Sequence, residues 1–396
     1  MNKTIRLGRL FKVGLVVLLV FASIVFLLSL GTIFYQIPIL GSFANIMTIT
    51  ILDSWLIINI VITIFSVCAL ALCLAFKKRK TLSIIALGLI VSSLIITIIF
   101  SCIITSSIRS YGIKSPFTTT VINTSDISVK TETYTSSNKG NVELDVYYND
   151  DETLDKPVVI YIHGGGWISG DKNNHSYYSK VFAKNGYIAY SLNYDLSDKD
   201  NHLVATTELQ LLDGIAYVKN NAHKYNGNAN RIYLIGDSAG GNLALELAYK
   251  IANGIYTESS DGSSLPQIKA VSVLYPATNP EDMYNHKDLI TGKAVSNMAY
   301  YYTGCTPSDN KNMYDSINPI NYITTNTPPT NIILGNADST ITPKSTYGFI
   351  EKLKEQNVDY NAIIIPFANH SFDNIDGTML TNAFLESTLK WFDTYK

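Results

Sequence analysis

The hydrophobic pattern divides the chain into two parts of different character. The first third holds three apolar runs without a charged residue, at 13–35, 54–76 and 82–108. Each run is long enough to cross a hydrocarbon core of about 30 Å. A cleaved signal peptide has a shorter apolar core, and two further runs would not follow it. The pattern therefore predicts a membrane region over residues 1–108 with three transmembrane helices.

The remainder of the chain alternates short β-branched runs with amphipathic helical patterns. Residues 109–126, rich in Ser and Thr, are typical of a short linker between the two parts. The predicted strands are 142–148, 158–163, 187–193, 231–235, 269–275, 331–335 and 360–366, and the predicted helices are 176–185, 203–225, 239–253, 343–357 and 378–395. Because the strands are continuously hydrophobic, a sheet covered on both faces is expected. The pattern predicts an α/β fold over 127–396, with a doubly wound, mostly parallel sheet.

One long stretch interrupts this alternation. Residues 277–328 carry six tyrosines among Asn, Asp and Pro, between two predicted strands. This composition favours a cap inserted over one end of the sheet. A tyrosine-rich wall would suit sugars or aromatic acyl groups, and a simply packed insertion is an equal alternative.

Basic residues predict the orientation of the membrane region. Four of them precede the first run, four lie at 77–80 between the second and third, and the stretch 36–53 carries only Asp53. Since basic residues concentrate on the cytoplasmic side, the amino terminus and the basic loop are expected in the cytoplasm. Three spans then place the remainder of this multi-pass cell-membrane protein outside.

Charge and cysteine usage narrow the possible partners. Residues 1–109 hold nine Lys and Arg and one acid, so that of the chain's 30 basic and 32 acidic residues 21 and 31 belong to the remainder. Nucleic acid and anionic headgroups would be repelled by that excess. Of the four cysteines only Cys305 lies outside the apolar runs, so neither an internal disulfide nor a cysteine zinc site is expected there. No phosphate loop or dinucleotide fingerprint is present, and no cofactor or metal is expected.

The most informative motif is Gly236-Asp237-Ser238-Ala239-Gly240, which follows an apolar run and precedes a helical pattern. A serine between glycines at a sharp strand-to-helix turn is typical of a nucleophile elbow. Such a serine stands above the sheet, and Ser238 is the predicted nucleophile.

A second glycine motif, His163-Gly164-Gly165-Gly166-Trp167, directly follows a predicted strand. Backbone N–H groups exposed by glycines can stabilise the oxyanion that forms when an ester carbonyl is attacked. We assign the N–H groups of Gly165, Gly166 and Ala239 to this oxyanion hole, and Trp167 to substrate contact. A flexible glycine loop is the alternative.

A serine hydroxyl needs a general base and a carboxylate behind that base. Of the six histidines, only His370 lies in a loop just after a predicted strand near the carboxyl terminus. Asp338 ends another predicted strand, at the carboxyl edge where open α/β sheets build their sites. The predicted catalytic set is Ser238, Asp338 and His370.

These motifs resemble those of α/β-hydrolase esterases, in the group that includes hormone-sensitive-lipase-like and bacterial acetyl-esterase families. The resemblance spans 127–396 and also draws on Pro328-Pro329 and on His370-Ser371-Phe372. It implies the same nucleophile, base, acid and oxyanion donors. Relatives usually carry an Asn-Tyr-Arg-Leu type of segment where this chain has Asn193-Tyr194-Asp195-Leu196, so substrates are not carried over from them.

The sequence thus predicts a membrane-anchored serine ester hydrolase that works through an acyl-enzyme outside the cytoplasm. Its expected substrate is a short, acetyl-type ester of a small molecule or of an envelope or environmental polysaccharide. The first alternative is an acyltransferase that passes the acyl group to an envelope sugar. The second is a non-catalytic surface binding module of the same fold.

Overall fold

The computed structural model describes residues 3–37, 40–75 and 80–396, and its amino-terminal part is a helical bundle. The bundle comprises α1 (Lys3–Ile33), α2 (Leu40–Ile49), α3 (Leu52–Ala75) and α4 (Lys80–Ser110). Three segments are long and apolar enough to cross a membrane: Arg9–Ile33, Leu52–Ala75 and Lys80–Ser110. The short α2, about 15 Å long, was not predicted and is too short to span. Phe76 and the basic residues 77–79 lie outside the described residues.

Hydrogen bonds between buried polar side chains join α1, α3 and α4. Ser93 Oγ lies 2.6 Å from Asn59 Oδ1 and 2.8 Å from Ser29 Oγ, and the indole N–H of Trp55 donates to Ser29 Oγ at 3.0 Å. All four side chains are buried. Buried hydrogen bonds between helices fix which helix faces meet, because each polar group needs a partner there.

The remainder of the chain forms an eight-stranded sheet in the order β1-β2-β4-β3-β5-β6-β7-β8. Pairing is parallel from β4 through β8, whereas the β1–β2 and β2–β4 pairs are antiparallel. The strands are β1 (Ser128–Ser137), β2 (Gly140–Tyr148), β3 (Lys156–Ile162), β4 (Ile188–Leu192), β5 (Gly227–Asp237), β6 (Ile268–Leu274), β7 (Thr330–Gly335) and β8 (Tyr360–Ile365). The predicted α/β, mostly parallel architecture is confirmed.

Helices cover both faces of the sheet. Along β3, Val158 and Ile160 face one buried layer while Val159 and Tyr161 face the other. This double burial explains why the strand sequences are continuously apolar. The helices are α5 (Ser176–Lys184), α6 (Val204–Asn221), α7 (Ser238–Ala252), α8 (Pro280–Tyr284), α9 (Gly292–Thr303), α10 (Lys311–Ser316), α11 (Pro343–Glu355) and α12 (Met379–Thr394), with 3₁₀ turns at Ala222–Tyr225 and Pro319–Tyr322.

The insertion between β6 and β7 forms α8, α9 and α10 and the second 3₁₀ turn. It is held to α7 by Asn242, whose side-chain amide donates to the carbonyl oxygens of Ala277 and Ile317 at 2.9 and 3.0 Å. Asn242 is fully buried. The start of the insertion and the stretch just after α10 are thereby fixed next to α7.

The segment that follows α4 has a defined path along α12. Ser115 Oγ donates to the Met379 carbonyl at 2.7 Å, and the Lys114 N–H donates to both carboxylate oxygens of Glu386 at 2.9 Å. The Thr120 N–H donates to the Gly377 carbonyl at 2.7 Å. Residues 109–126, expected to be a tether, are in this structure docked against the α/β part.

Candidate active site

The turn from β5 into α7 places Ser238 at the carboxyl edge of the sheet. Ser238 has a φ of 51°, in the left-handed region that disfavours side chains. A Cβ on Gly236 would lie 2.4 Å from Gly240 O, and a Cβ on Gly240 would lie 2.1 Å from Ile162 O. Only glycine fits at both positions, so the motif is required by the tight packing of the turn.

The structure brings the three predicted catalytic side chains together in one chain of hydrogen bonds. Ser238 Oγ lies 3.0 Å from His370 Nε2, and His370 Nδ1 lies 2.8 Å from Asp338 Oδ2. These side chains are far apart in the sequence and arrive from the ends of β5, β7 and β8. The arrangement allows the imidazole to accept the serine proton while the carboxylate holds its other nitrogen.

Backbone donors orient Asp338. Its Oδ1 accepts from the N–H groups of Thr340 and Ile341, each at 2.8 Å. Asn369 ties the neighbouring loops together, because its Oδ1 accepts from Ser339 N at 2.8 Å and from His370 N at 2.7 Å. The acid and the histidine are therefore held by a shared framework.

The surroundings of His370 act on its pKa in opposite directions. Burial lowers the pKa of the imidazole, but the charge and hydrogen bond of Asp338, with the charges of Asp237 and Asp373, together raise the pKa above its usual value. Since a base must be neutral to accept a proton, the reaction is expected to gain rate as the pH rises through that raised pKa.

Asp373 gives this interpretation a specific test. Replacing Asp373 with Asn removes a negative charge that raises the pKa of His370, so the acid limb of kcat/KM against pH is expected to move to lower pH. The matched control is Asp376→Asn, which removes a charge from the same loop outside the set that acts on His370. If the acid limb of the kcat/KM profile does not move in Asp373→Asn, or moves equally in both variants, the charge of Asp373 does not raise the pKa of His370.

The oxyanion loop packs tightly beside the elbow. Gly165 and Gly166 have φ angles of 113° and 62°, and within the described part of the chain neither N–H donates a hydrogen bond. A Cβ on Gly165 would lie 2.0 Å from Ser169 O. These N–H groups, with that of Ala239 at the start of α7, are free to meet a developing oxyanion.

The side chain of Trp167 differs from the expectation. It is fully buried and stacks on Tyr302 of α9, with ring centroids 4.7 Å apart and an interplanar angle of 2°. The structure gives this indole a packing role, joining the oxyanion loop to the cap, in place of the expected substrate contact. A large apolar ring in a loop was compatible with either role in the sequence.

His163 is also structural. Its Nδ1 donates to the Gly164 carbonyl at 2.8 Å, and its ring stacks on Tyr194 at 4.3 Å. Burial lowers the pKa of this imidazole, which keeps it neutral. Tyr194 OH in turn donates to the His163 carbonyl at 2.8 Å, so the pair shapes the loop.

Two buried carboxylates near the triad were missed by the sequence reasoning. Asp237 Oδ1 accepts from Tyr161 OH at 2.7 Å and from Gly164 N at 3.0 Å, which ties the elbow to the oxyanion loop. Asp373 accepts from the hydroxyls of Tyr178 and Tyr275, and the Tyr275 ring lies 4.4 Å from the His370 ring. The position of Asp373, three residues after His370, was the available signal.

The departure at Asp195 has a local explanation. Gln210 Nε2 donates to Asp195 Oδ2 at 3.0 Å, and the Asp195 N–H donates to Gln210 Oε1 at 2.8 Å. Gln210, which lies on α6, thus provides the hydrogen-bond partner of the Asp195 carboxylate.

Over the ranges that the structure covers, no group of three or more His, Cys, Asp or Glu side chains could hold a metal ion.

One protein-family model matches a large part of the chain. The family model BD-FAE matches residues 144–353, which include the oxyanion loop, the elbow and Asp338. The chain belongs to the BD-FAE family. His370 follows the matched region, so its assignment depends on the geometry above.

Curated relatives of this BD-FAE protein are esterases and α/β hydrolases. A putative α/β hydrolase of Acanthamoeba polyphaga mimivirus is 30% identical over 169 residues, 42% of this chain and 46% of that protein. Esterase LipC of Mycobacterium tuberculosis is 27% identical over 240 residues, 59% of this chain and 58% of that protein. The chain thus spans about half the length of these relatives.

Solved structures support the fold. Esterase B from Lactobacillus rhamnosis superposes with a TM-score of 0.56 at 20% identity, covering 74% of this chain and 96% of that one. A thermophilic esterase of Thermogutta terrifontis, solved with butyrate bound, gives 0.55 at 21% identity, covering 69% and 95%. The BD-FAE protein therefore has an esterase-type α/β-hydrolase fold.

Proposed function

We propose that this BD-FAE protein is a serine carboxylic ester hydrolase. The observation that carries the proposal is the continuous hydrogen-bond chain from Ser238 Oγ through His370 to Asp338, with distances of 3.0 and 2.8 Å. The esterase relatives support the same reaction class. Ser238 is the nucleophile, His370 the general base, and Asp338 the carboxylate that orients it.

The reaction has two halves. Ser238 Oγ attacks the ester carbonyl while His370 Nε2 takes its proton, and the N–H groups of Gly165, Gly166 and Ala239 stabilise the oxyanion. Collapse of the tetrahedral intermediate breaks the bond to the alcohol oxygen, which receives the proton from His370. Water, deprotonated by His370, then attacks the acyl-enzyme. Collapse of this second intermediate breaks the bond to Ser238 Oγ, which takes back the proton from His370, and the acid is released.

A direct assay tests this reaction. The full chain, purified in detergent, is expected to hydrolyse p-nitrophenyl acetate with a burst of nitrophenol followed by slower steady turnover. The burst reports accumulation of the acyl-enzyme. Turnover no faster than the uncatalysed reaction would contradict the proposed function.

The cap supports a preference for short acyl groups. A Cβ on Gly166 would lie 2.6 Å from the sulfur of Met298, a residue of α9. The Met298 side chain therefore closes over the oxyanion loop and limits the room next to the reacting carbonyl. Acetyl-type esters fit this constraint best.

Shortening Met298 should relax the preference. In Met298→Ala, the ratio of octanoate to acetate ester turnover is expected to rise about tenfold, since each methylene accommodated in an apolar site is worth about 1–3 kcal/mol. Met313→Ala, on the neighbouring α10, is the matched control and should leave the ratio unchanged. An unchanged ratio in Met298→Ala would exclude this residue as the limit on chain length.

We further propose that the chain is anchored in the cell membrane by three spans with the α/β part outside. The three apolar helices support the anchor, and the basic residues at 3–12 and 77–80 support the orientation. To test the orientation, intact cells are treated with external protease and then labelled with a fluorophosphonate. We expect the protease to remove the α/β part, so that labelling is lost. Labelling that persists until the cells are lysed would contradict the orientation.

A further inference from the structure

The carboxyl end of α4 shows how the α/β part sits relative to the spans. Ser107 Oγ donates to the Ile364 carbonyl at 3.4 Å, and the Ile364 N–H donates to Tyr111 OH at 3.3 Å. Further back on α4, the Phe100 ring lies 6.5 Å from that of Phe367. Moving along α4 toward the bilayer therefore follows β8 toward its carboxyl end.

The length of α4 agrees with this placement. Its 31 residues extend about 46 Å, well beyond a hydrocarbon core of about 30 Å. The last turns of α4 therefore project from the membrane alongside β8. The carboxyl edge of the sheet, which holds the triad, is the edge nearest the bilayer.

The other spans make contacts at the same edge. Tyr35, just after α1, meets the Phe367 ring edge-on at 6.4 Å. Asp53, in the first turn of α3, accepts from the Thr119 N–H at 2.6 Å. Phe367 lies in the loop that carries His370. The outer end of α1 thus touches the loop that carries His370, and the outer end of α3 touches the segment that leads into the α/β part.

Exposed apolar side chains are found on this edge. Leu289 is 75% exposed and Ile290 49% exposed, in the loop between α8 and α9. That loop is bonded to the loop that carries Asp338. Thr291 Oγ1 donates to the Ser339 carbonyl at 2.6 Å, and His286 Nε2 donates to the same oxygen at 2.8 Å. The two adjacent aliphatic side chains form a small exposed apolar patch beside the site, and apolar patches are typical of membrane contact sites.

The spans themselves identify what covers that surface. The loop bearing Leu289 and Ile290 lies on the edge of the sheet that faces the three spans, so the bilayer surface is the nearest apolar medium. The negative charge of residues 110–396 opposes binding to anionic headgroups. An apolar contact with the leaflet avoids that repulsion, and tyrosines such as Tyr35 are enriched at membrane interfaces.

We propose that the catalytic edge faces the outer leaflet, with Leu289 and Ile290 dipping into it, and that the substrate is a short-acyl ester of an amphiphile anchored there. This proposal rests on the proposed ester hydrolysis and on the proposed anchor. The ester, at the level of the headgroups, reaches Ser238 without leaving the membrane, while the apolar part of the alcohol stays in the leaflet. A lipid-linked saccharide bearing an acyl group has this chemistry.

The test compares two acetate esters with the full chain in phosphatidylcholine nanodiscs. Hexadecyl acetate is placed in the same discs, and p-nitrophenyl acetate is supplied in water. We expect both to be hydrolysed, and we expect the ratio of hexadecyl to nitrophenyl turnover to fall at least tenfold in the double variant Leu289→Asp, Ile290→Asp. The matched control is Leu154→Asp, a side chain 71% exposed before β3, at the opposite edge, which should leave the ratio unchanged.

The outcomes separate this proposal from the proposed function. Turnover of nitrophenyl acetate without turnover of hexadecyl acetate, or an unchanged ratio in the double variant, would overturn the membrane-facing edge and leave ester hydrolysis intact. Absence of both activities would overturn the hydrolase itself.

A second measurement does not depend on activity. In a variant without the four native cysteines, Leu289→Cys or Leu154→Cys carries an environment-sensitive dye, and the discs contain doxyl-labelled lipid. We expect quenching at position 289 and none at position 154. Equal quenching at both positions, or none at 289, would overturn the proposed orientation.

Discussion

Replacing Ser238 with alanine is expected to lower kcat for p-nitrophenyl acetate by about 10⁴-fold or more, because removal of one member of a catalytic triad abolishes the covalent route. The residual rate would come from the oxyanion donors alone. Steady-state hydrolysis by the full chain in detergent measures the loss, and the initial burst of nitrophenol should vanish with it.

Two comparisons make the Ser238→Ala result specific. Ser308→Ala changes an exposed serine of the cap and should retain the rate of the unmodified chain. Thermal unfolding of Ser238→Ala should match that of the unmodified chain, because alanine keeps the Cβ at the same φ of 51° and the loss of one hydroxyl creates no large cavity. Retention of more than about a tenth of kcat would show that Ser238 is not the nucleophile.

Replacing Gly165 with alanine is expected to lower kcat by about 10²- to 10³-fold, the loss typical of an oxyanion donor. Gly165 has a φ of 113°, and a Cβ there would lie 2.0 Å from Ser169 O. The loop must shift to relieve that contact, which moves the N–H groups of Gly165 and Gly166 away from the reacting oxygen. The effect should appear in kcat more than in KM, because the oxyanion exists only in the transition state and the intermediate.

The control for Gly165 is another glycine with positive φ. Gly262 has a φ of 80°, and a Cβ there would meet nothing within 4 Å. Gly262→Ala carries a similar backbone strain in a surface turn and should keep its rate. Equal activity in both variants would show that the Gly165 N–H takes no part in stabilising the oxyanion.

The sequence was sufficient to predict strands wherever burial on both faces gave a regular hydrophobic pattern. The parallel strands of the sheet interior were predicted from continuous apolar runs, because both of their faces are covered. β1 was missed because its sequence, Ser128–Ser137, is polar and it lies at the edge of the sheet. An edge strand with few buried side chains leaves no hydrophobic period to detect.

The motifs predicted which side chains would meet, but not the residues that surround them and hold them in place. Ser238, Asp338 and His370 each follow a strand whose carboxyl end lies on one edge, so fold and motif together implied that they converge. Asp373 was missed because its burial depends on two tyrosine hydroxyls, from Tyr178 and Tyr275, that are distant in the sequence. Such long-range polar contacts have no local signature.

The sequence also did not indicate how the helical bundle and the segment after it contact the α/β part. Residues 109–126 have the composition of a linker, yet their backbone and side chains bond to α12 and to Gly377. The short α2 could not be distinguished from a loop by its apolar content. In both cases the conformation is set by tertiary contacts rather than by local preference.

Covalent labelling shows whether Ser238 is an activated nucleophile. The full chain is treated with a fluorophosphonate and digested, and the modified residue is located by mass spectrometry. We expect one adduct on Ser238, formed rapidly in the unmodified chain, slowly in His370→Ala and not at all in Ser238→Ala. An adduct on another residue, or labelling at the same rate with and without His370, would contradict the account.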